Sequence, residues 1–406
     1  VNRRSNEGAG FEAGLFARAM RASLAGLLGE LVVHDGGELV VLGRPDPGGE
    51  NAELYVLDPR FWRAVVLRGS VGLAESYAHG WWSSPDVVAL IRLLTRNIDS
   101  IHRIERTLAS VSRPALAAFH RLRANTERGS KANIAAHYDL SNEFFALFLD
   151  PTMSYSCALF EPPDCTLEQA SIAKLDRICQ KLELRSDDRL VEIGTGWGAL
   201  AIHAARVHGC RVTTTTISAR QHEWAAARIR EAGLGDRVTL LAADYRRLPE
   251  MTTQPFDKLV SIEMIEAVGW RYYREFFSIC TKLLAPRGRM LLQSITIADR
   301  HFESTKDEVD FIQRYIFPGS CIPSITALCT AATTASDLRL IWLDDIGAHY
   351  VRTLAAWRWN LRERWEQARA LLRDDAFLGL FEFYLMYCEA GFAERHISDV
   401  HMLFAR

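Results

Sequence analysis

Apolar and polar positions along this chain switch between two periods, and the switches mark its elements. Leu190-Val-Glu-Ile193 is a short, mostly apolar run bounded by glycine, the pattern of a buried parallel strand. Ala199, Leu200, Ala204 and Ala205 then recur at helical spacing. Val212-Thr-Thr-Thr-Thr-Ile217 is β-branched and predicts a second strand, followed by a helix over 219–232. Residues 238–243, 256–262 and 288–295 predict three more strands, with a helix over 271–284 before the last. Upstream, Leu167, Ala170, Ile172, Leu175, Ile178 and Leu182 predict an amphipathic helix over 167–184. Strands alternating with helices imply an α/β fold with a doubly wound parallel sheet.

The flanks read differently. Residues 24–80 hold short strand-like pieces at Leu31, Leu39 and Glu53, separated by Gly/Asp/Pro turns, which predicts a small α+β unit. Gly69 to Trp82 combines several glycines with the pair Trp81-Trp82. Residues 86–124 are helical in period, 303–335 form a helical and partly apolar insertion, and 353–390 are rich in aromatics. The expected organisation is a smaller N-terminal α+β domain over 1–125 and a catalytic domain over 126–406, the boundary falling in Asn125-Thr-Glu-Arg-Gly-Ser-Lys131.

Chemistry concentrates at the carboxyl ends of the predicted strands. Gly194, Gly196 and Gly198 turn the first strand into a helix N-terminus, a cradle where backbone can approach a ligand closely. The spacing is Gly-x-Gly-x-Gly, which favours S-adenosylmethionine over a dinucleotide with its pyrophosphate. The second strand ends in Thr216-Ile-Ser218 with Gln221 nearby and no acid, so neutral groups are expected at the ribose. Asp244 and Tyr245 follow the third strand, where the adenine would lie; a helix cap is the competing reading of Asp244. Glu263 and Glu266 follow the fourth strand and are candidates for organising a base, against a plain helix-terminus role. Tyr350 is a candidate buried phenol. Cys157, with no Cys-His-acid set in sight, is expected to act through its backbone.

Composition narrows the classes. A chain of 406 residues, 49% apolar and 24% charged, can bury a large core. A net charge of −2 argues against general nucleic-acid binding. The eight cysteines form no CxxC pair, so no metal is expected and a reduced, cytoplasmic setting is. No apolar run is long enough to predict a membrane span. Residues 92–131 carry nine Lys/Arg against three acids beside an apolar helical face, which predicts peripheral contact with an anionic bilayer, or else a solvated interdomain helix.

The chain resembles the cyclopropane-fatty-acyl-phospholipid synthase family, which includes the mycolic acid cyclopropane synthases. The matching text is Gly72-Leu-Ala-Glu-Ser-Tyr-Ala-His-Gly-Trp-Trp82, His137-Tyr-Asp-Leu-Ser-Asn142, Met153-Ser-Tyr-Ser-Cys-Ala158, Val191-Glu-Ile-Gly-Thr-Gly-Trp-Gly198, Met264-Ile-Glu-Ala-Val-Gly269, Tyr315 to Ser324 and Gly347-Ala-His-Tyr-Val-Arg-Thr-Leu354. The resemblance implies methyl transfer from S-adenosylmethionine to the cis double bond of an unsaturated acyl chain of a membrane phospholipid. A carbocation follows, and bound bicarbonate removes its proton. Carried over by position, Cys157 and Ile262 (through backbone), Glu266 and Tyr350 would hold bicarbonate. Tyr155, Ser156, Gly194, Gly196, Gly198, Thr216, Gln221, Asp244 and Tyr245 would hold the cofactor. Two departures matter: Ala267 stands where many cyclopropane-forming members have His, and Gln293 where they carry a His ligand to bicarbonate.

The Ala/Gln pair resembles the actinobacterial branch that makes 10-methylene-stearoyl lipids, precursors of tuberculostearic acid, so the product is expected to be a methylene branch or a cyclopropane. Loss of a proton from the new methyl closes a ring, whereas loss from an adjacent chain carbon leaves an alkene. A methylene product would need a reductase partner. The resemblance also implies a homodimer at the inner face of the membrane. The alternative is a methyltransferase acting on an N or O nucleophile of a small molecule, which would need neither bicarbonate nor a lipid channel.

Overall fold

The computed structural model describes residues 17–101, apart from 19, 22, 23, 47, 48 and 50, and residues 140–406. They belong to two compact units. The first comprises Val1–Arg121, Glu308–Ile316 and Ala368–His396; the second comprises Leu122–Asp307, Phe317–Gln367 and Ile397–Arg406. The division is discontinuous in sequence. The boundary stretch 125–131, His137 and most of the basic segment 92–131 lie outside the described residues.

In the first unit, β1 (Gly29–Asp35) and β2 (Glu38–Arg44) pair as an antiparallel hairpin. β3 (Ala52–Val56) runs parallel to β1, and β4 (Trp82–Ser83) antiparallel to β3. Helix Arg60–Ala78 covers part of the glycine-rich stretch singled out above. A Cβ on Gly72 would lie 1.9 Å from the Ala64 carbonyl oxygen, so backbone meets backbone there. Helix Asp375–Ala393 is, among the described residues, the one helix long and apolar enough to cross a bilayer, and 72% of its apolar window is buried. It packs on helices Arg60–Ala78 and Val87–Arg96, with Leu378, Phe381, Phe383 and Leu385 in the core. Its buried Glu382 accepts the Tyr77 hydroxyl at 2.9 Å. It is the core helix of this unit.

The second unit contains the five expected strands: β5 (Arg189–Ile193), β6 (Arg211–Thr215), β7 (Val238–Leu241), β8 (Phe256–Ile262) and β9 (Leu284–Ile297). They run parallel in the order β9-β8-β5-β6-β7. Two strands beyond that expectation, β10 (Arg339–Asp345) and β11 (Ile397–Ala405), add antiparallel pairings, so the seven-stranded sheet is mixed, not all parallel. Alternation along the strands builds two apolar layers. Leu190, Val260 and Leu291 join one with helices Leu167–Leu182 and Ala199–His208. Val191, Leu259, Met290 and Leu292 join the other with helices Tyr273–Leu283 and Ile325–Ala335. Both faces are therefore covered, the condition for a doubly wound sheet. Its carboxyl edge is left to loops, where ligands of such folds bind.

Candidate active site

The cofactor end is built by loops following β5, β6 and β7. Gly194, Gly196 and Gly198 all have positive φ (91°, 54° and 89°). A Cβ on Gly194 would approach Met264 Cγ at 3.1 Å, whereas one on Gly196 would project into open space. Only glycine makes this turn cheaply, and the space above Gly196 stays free for a ligand. Arg228 clamps the turn, its Nη1 donating to the carbonyls of Trp197 at 3.0 Å and Thr152 at 2.8 Å. After β6, Thr216 Oγ1 donates to Gln221 Oε1 at 3.0 Å, and both residues are buried. This is the neutral pair expected where an acid is commoner. After β7, Asp244 caps the turn Tyr245–Arg247: it accepts the Arg246 N–H at 3.0 Å and the Arg246 guanidinium at 3.0 Å. The Tyr245 hydroxyl is buried with no hydrogen-bond partner among the described residues. An open glycine turn and a buried orphan hydroxyl, both following strands at the same sheet edge, fit a polar cofactor.

Tyr155 stands between the two ends. Its ring lies 5.2 Å from those of Phe145 and Trp357 and 6.4 Å from that of Phe317. Such a cluster of π faces can stabilise a cation without attacking it. Neighbouring Ser156 accepts from the Nζ of Lys174, a lysine buried to 1% exposure, at 2.7 Å.

The second end centres on Glu263, the residue immediately after β8. Its Oε1 accepts the Cys157 N–H at 2.8 Å and the Gln293 Nε2 at 2.8 Å, and its Oε2 accepts the Tyr350 hydroxyl at 2.7 Å. Its φ is +45°, a left-handed conformation that costs a non-glycine residue about 1 kcal/mol or more. Tyr350 reaches it from helix Gly347–Glu363. A Cβ on Gly347 would meet Ser398 Oγ at 2.1 Å, so that helix starts flush against β11.

Gln293 is fully buried on β9 and ties three groups together. Its Nε2 also donates to Asp399 Oδ2 at 2.8 Å, and its Oε1 lies 3.1 Å from His401 Nε2. An amide oxygen only accepts, so His401 carries its proton on Nε2. Burial and the nearby Lys174 and Arg177 push His401 down to about 3, so it stays neutral.

Three carboxyls crowd here, and their surroundings sort them. Burial pushes Glu263 upward, against the Tyr350 hydroxyl, the Cys157 N–H and Lys174, which favour its charge. Asp399 is held well above the ordinary carboxylate range, first by burial and then by the charge of Glu263, so it is the protonated member of that pair. Glu266 is pushed up to about 8 by burial and by Glu263. Its Oε1 accepts from Ser294 Oγ at 3.0 Å and the Ile295 N–H at 2.6 Å, and its Oε2 has no partner among the described residues. Burial first, and then the acids beside it, hold the Cys157 thiol well above its usual value. A neutral buried thiol is a poor nucleophile.

Of the residues expected around bicarbonate, the structure brings Cys157, Gln293 and Tyr350 together on Glu263. Ile262 sits at the end of β8 in register with Gln293. Glu266 faces Ser294 and Ile295. Lys174, Asp399 and His401 were not expected: Lys174 lies in a stretch that reads as an ordinary amphipathic helix, and Asp399 and His401 lie on β11, which the periodicity does not reveal. The signal for Glu263 was present, as a carboxylate at a strand end.

The mycolic acid cyclopropane synthetase family profile matches residues 125–402. The chain is 33% identical over 389 residues to the tuberculostearic acid methyltransferase UfaA1 of Mycobacterium tuberculosis, covering 94% of this chain and 88% of that one. It is 33% identical over 363 residues to the cyclopropane-fatty-acyl-phospholipid synthase of Escherichia coli, covering 88% and 89%. The solved cyclopropane synthase MmaA2 from Mycobacterium tuberculosis superposes with a TM-score of 0.62 at 32% identity, over 68% of this chain and 98% of that one. Coclaurine N-methyltransferase, 21% identical with a TM-score of 0.61, shares the fold. The mixed seven-stranded sheet with its glycine turn is thus the S-adenosylmethionine-dependent methyltransferase fold, and the chain belongs to the mycolic acid cyclopropane synthetase family.

Proposed function

We propose that this enzyme methylates the cis double bond of an oleoyl-type chain in a membrane phospholipid and releases a methylene-branched product. The reaction class is that of the family: S-adenosylmethionine-dependent methyl transfer onto an unsaturated fatty-acyl chain of a phospholipid. The cofactor supplies a sulfonium methyl. Around it, Gly194, Gly196, Thr216, Gln221, Asp244 and Tyr245 would position the nucleoside and amino-acid parts. The Tyr155, Phe145 and Trp357 rings would shield the carbocation from water.

The methylene outcome needs more than loss of a proton from a neighbouring chain carbon, which would leave an internal alkene. A hydride must move from the methylated carbon to its neighbour, placing the charge on the branched carbon. Loss of a methyl proton then gives the terminal methylene; loss of that proton before the shift closes the ring. The observation that supports the methylene reading is Gln293, a neutral amide fixed by His401, Asp399 and Glu263, where ring-forming members carry His. The name of the relative matched over most of the chain, a tuberculostearic acid methyltransferase, points the same way.

Bicarbonate does not fit the donor set as it stands, because Cys157, Gln293 and Tyr350 already spend their hydrogen bonds on Glu263. The same reading gives the enzyme a place at the inner membrane surface, a second copy of the chain as partner, no nucleic-acid role, and a reductase acting on its product. The basic stretch 92–131 supports the membrane contact.

The test is incubation with methyl-labelled cofactor and dioleoyl phospholipid vesicles, followed by ozonolysis of the recovered acyl chains. Ozone cleaves a methylene to a ketone and spares a cyclopropane. Labelled chains that resist ozone would replace the methylene reading with ring closure; the absence of label would remove the alkene altogether.

A further inference from the structure

The geometry points to Glu263 as the resident base of this reaction, its carboxylate standing where the resemblance places a bicarbonate ion. The inference rests on the reading of the enzyme as an alkene methyltransferase and names the group that takes the proton.

Several observations carry it. Three of the groups expected around the oxyanion are its donors: a backbone N–H at Cys157, the side chain at position 293 and the Tyr350 phenol. All three end on Glu263 at 2.8, 2.8 and 2.7 Å. A carboxylate presents the same pair of oxygens as bicarbonate, so one donor set serves either. Of these three donors Oε1 receives two and Oε2 one.

The backbone tells the same story. Position 263 has the φ of a glycine, yet carries a long acidic side chain. A strained residue is kept where its surroundings over-determine it, commonly for function. Glu263 is also partly exposed, as a group that meets substrate must be, whereas Asp399 and Gln293 behind it are fully buried.

The departure at 293 then has a physical reason. A neutral imidazole offers one N–H. The Gln293 amide offers two, one for Glu263 and one for Asp399, and accepts from His401 with its oxygen. Once a carboxylate is built in, two acids need a shared neutral donor between them, and glutamine supplies it.

The step balances. The methyl carbon's bond to sulfur breaks as its bond to one alkene carbon forms, and neutral S-adenosylhomocysteine departs. After the hydride shift, a C–H bond of the new methyl breaks. Its electron pair becomes the carbon–carbon double bond and quenches the cation, and its proton goes to a carboxylate oxygen of Glu263. The resulting carboxylic acid returns the proton to solvent before the next turnover.

The test compares the wild type with Glu263→Gln and Glu263→Gly. Wild-type turnover is expected to change less than about twofold between carbonate-depleted and bicarbonate-rich buffer. Glu263→Gln should lose roughly 100-fold or more in kcat, the usual cost of removing a general base, while its Kd for S-adenosylmethionine stays within about threefold. Glu263→Gly fits the backbone and frees the donors, so its turnover should become bicarbonate-dependent. Binding of carbon-13-labelled bicarbonate, followed by NMR, should be absent in the wild type and present in Glu263→Gly. Bicarbonate-dependent wild-type turnover, bicarbonate binding by the wild type, or full activity in Glu263→Gln would each overturn the assignment. Should no variant and no buffer give methylated lipid, the functional reading fails by itself, while the binding measurement still decides whether Glu263 holds the anion's place.

Discussion

The two ends of the carboxyl edge are built by different means. At β5, β6 and β7 the ligand-facing groups belong to short local motifs: a glycine turn, a Thr216–Gln221 pair five residues apart and a cap at Asp244. At β8, β9 and β11 the site draws on positions 157, 174, 263, 293, 350, 399 and 401, and the hydrogen bonds linking these positions to one another span up to 108 residues. Holding a cofactor asks for shape and a few neutral hydrogen bonds, and local turns supply both. Keeping one carboxylate charged among three crowded acids asks for long-range support, from Lys174 and from donors on several elements. Recognition and chemistry here are problems of different range.

The contrast can be broken from either side. The largest effect is expected for Gly194→Val, whose side chain meets Met264 at a backbone φ of +91°. Affinity for S-adenosylmethionine, measured by calorimetry, should fall by roughly 100-fold or more, since about 3 kcal/mol of strain and overlap enters the turn. Next comes Gln293→Leu, which strips the shared donor from Glu263 and Asp399 and leaves His401 Nε2 unpaired. Stability by urea unfolding should drop about 2–4 kcal/mol, with cofactor affinity in the surviving fold little changed. If affinity fell with stability, the two ends would be one cooperative unit and the contrast would fail. Tyr350→Phe removes one donor from Glu263 and should lower kcat about tenfold, with the KM for phospholipid steady.

The smallest effect is a pH dependence. Glu266 titrates at about 8 in the fold, above its ordinary value of 4.5, because burial disfavours its charge. The native state therefore holds its proton more tightly than the unfolded chain. Its contribution is full below about pH 4.5 and is lost as pH rises through about 8. Glu266→Gln cannot titrate, so it should lose less stability than the wild type between pH 7 and pH 8. The difference, on the order of 1 kcal/mol, would be read from urea midpoints. An identical loss in both proteins would mean that Glu266 is already ionised.

How much of this was legible depends on the same contrast. Periodicity and turns revealed β5 to β9 because those strands are bounded by glycines and alternate with helices. β10 and β11 were missed: β10 is a largely exposed edge whose alternation is weak, and β11 is buried on both faces, so it shows no alternation at all. The glycine turn and the neutral end of β6 could be read directly. The acid cluster could be read only as isolated residues. Glu263 stood out as a carboxylate after a strand, but Tyr350 lies 87 positions further along the chain, a separation that no local pattern records. Lys174 looked like one polar residue of an amphipathic helix, and its burial depends on what packs over it.

The left-handed backbone at Glu263 has a consequence for how this chemistry changes over time. Both codons for glutamate become glycine codons by one A-to-G transition in the middle base. The fold already holds the conformation that glycine prefers, so removing the side chain carries no conformational penalty and exposes a ready-made anion socket. A catalyst that brings its own proton acceptor and one that borrows a dissolved ion are thus neighbours in mutational space, separated by a single nucleotide.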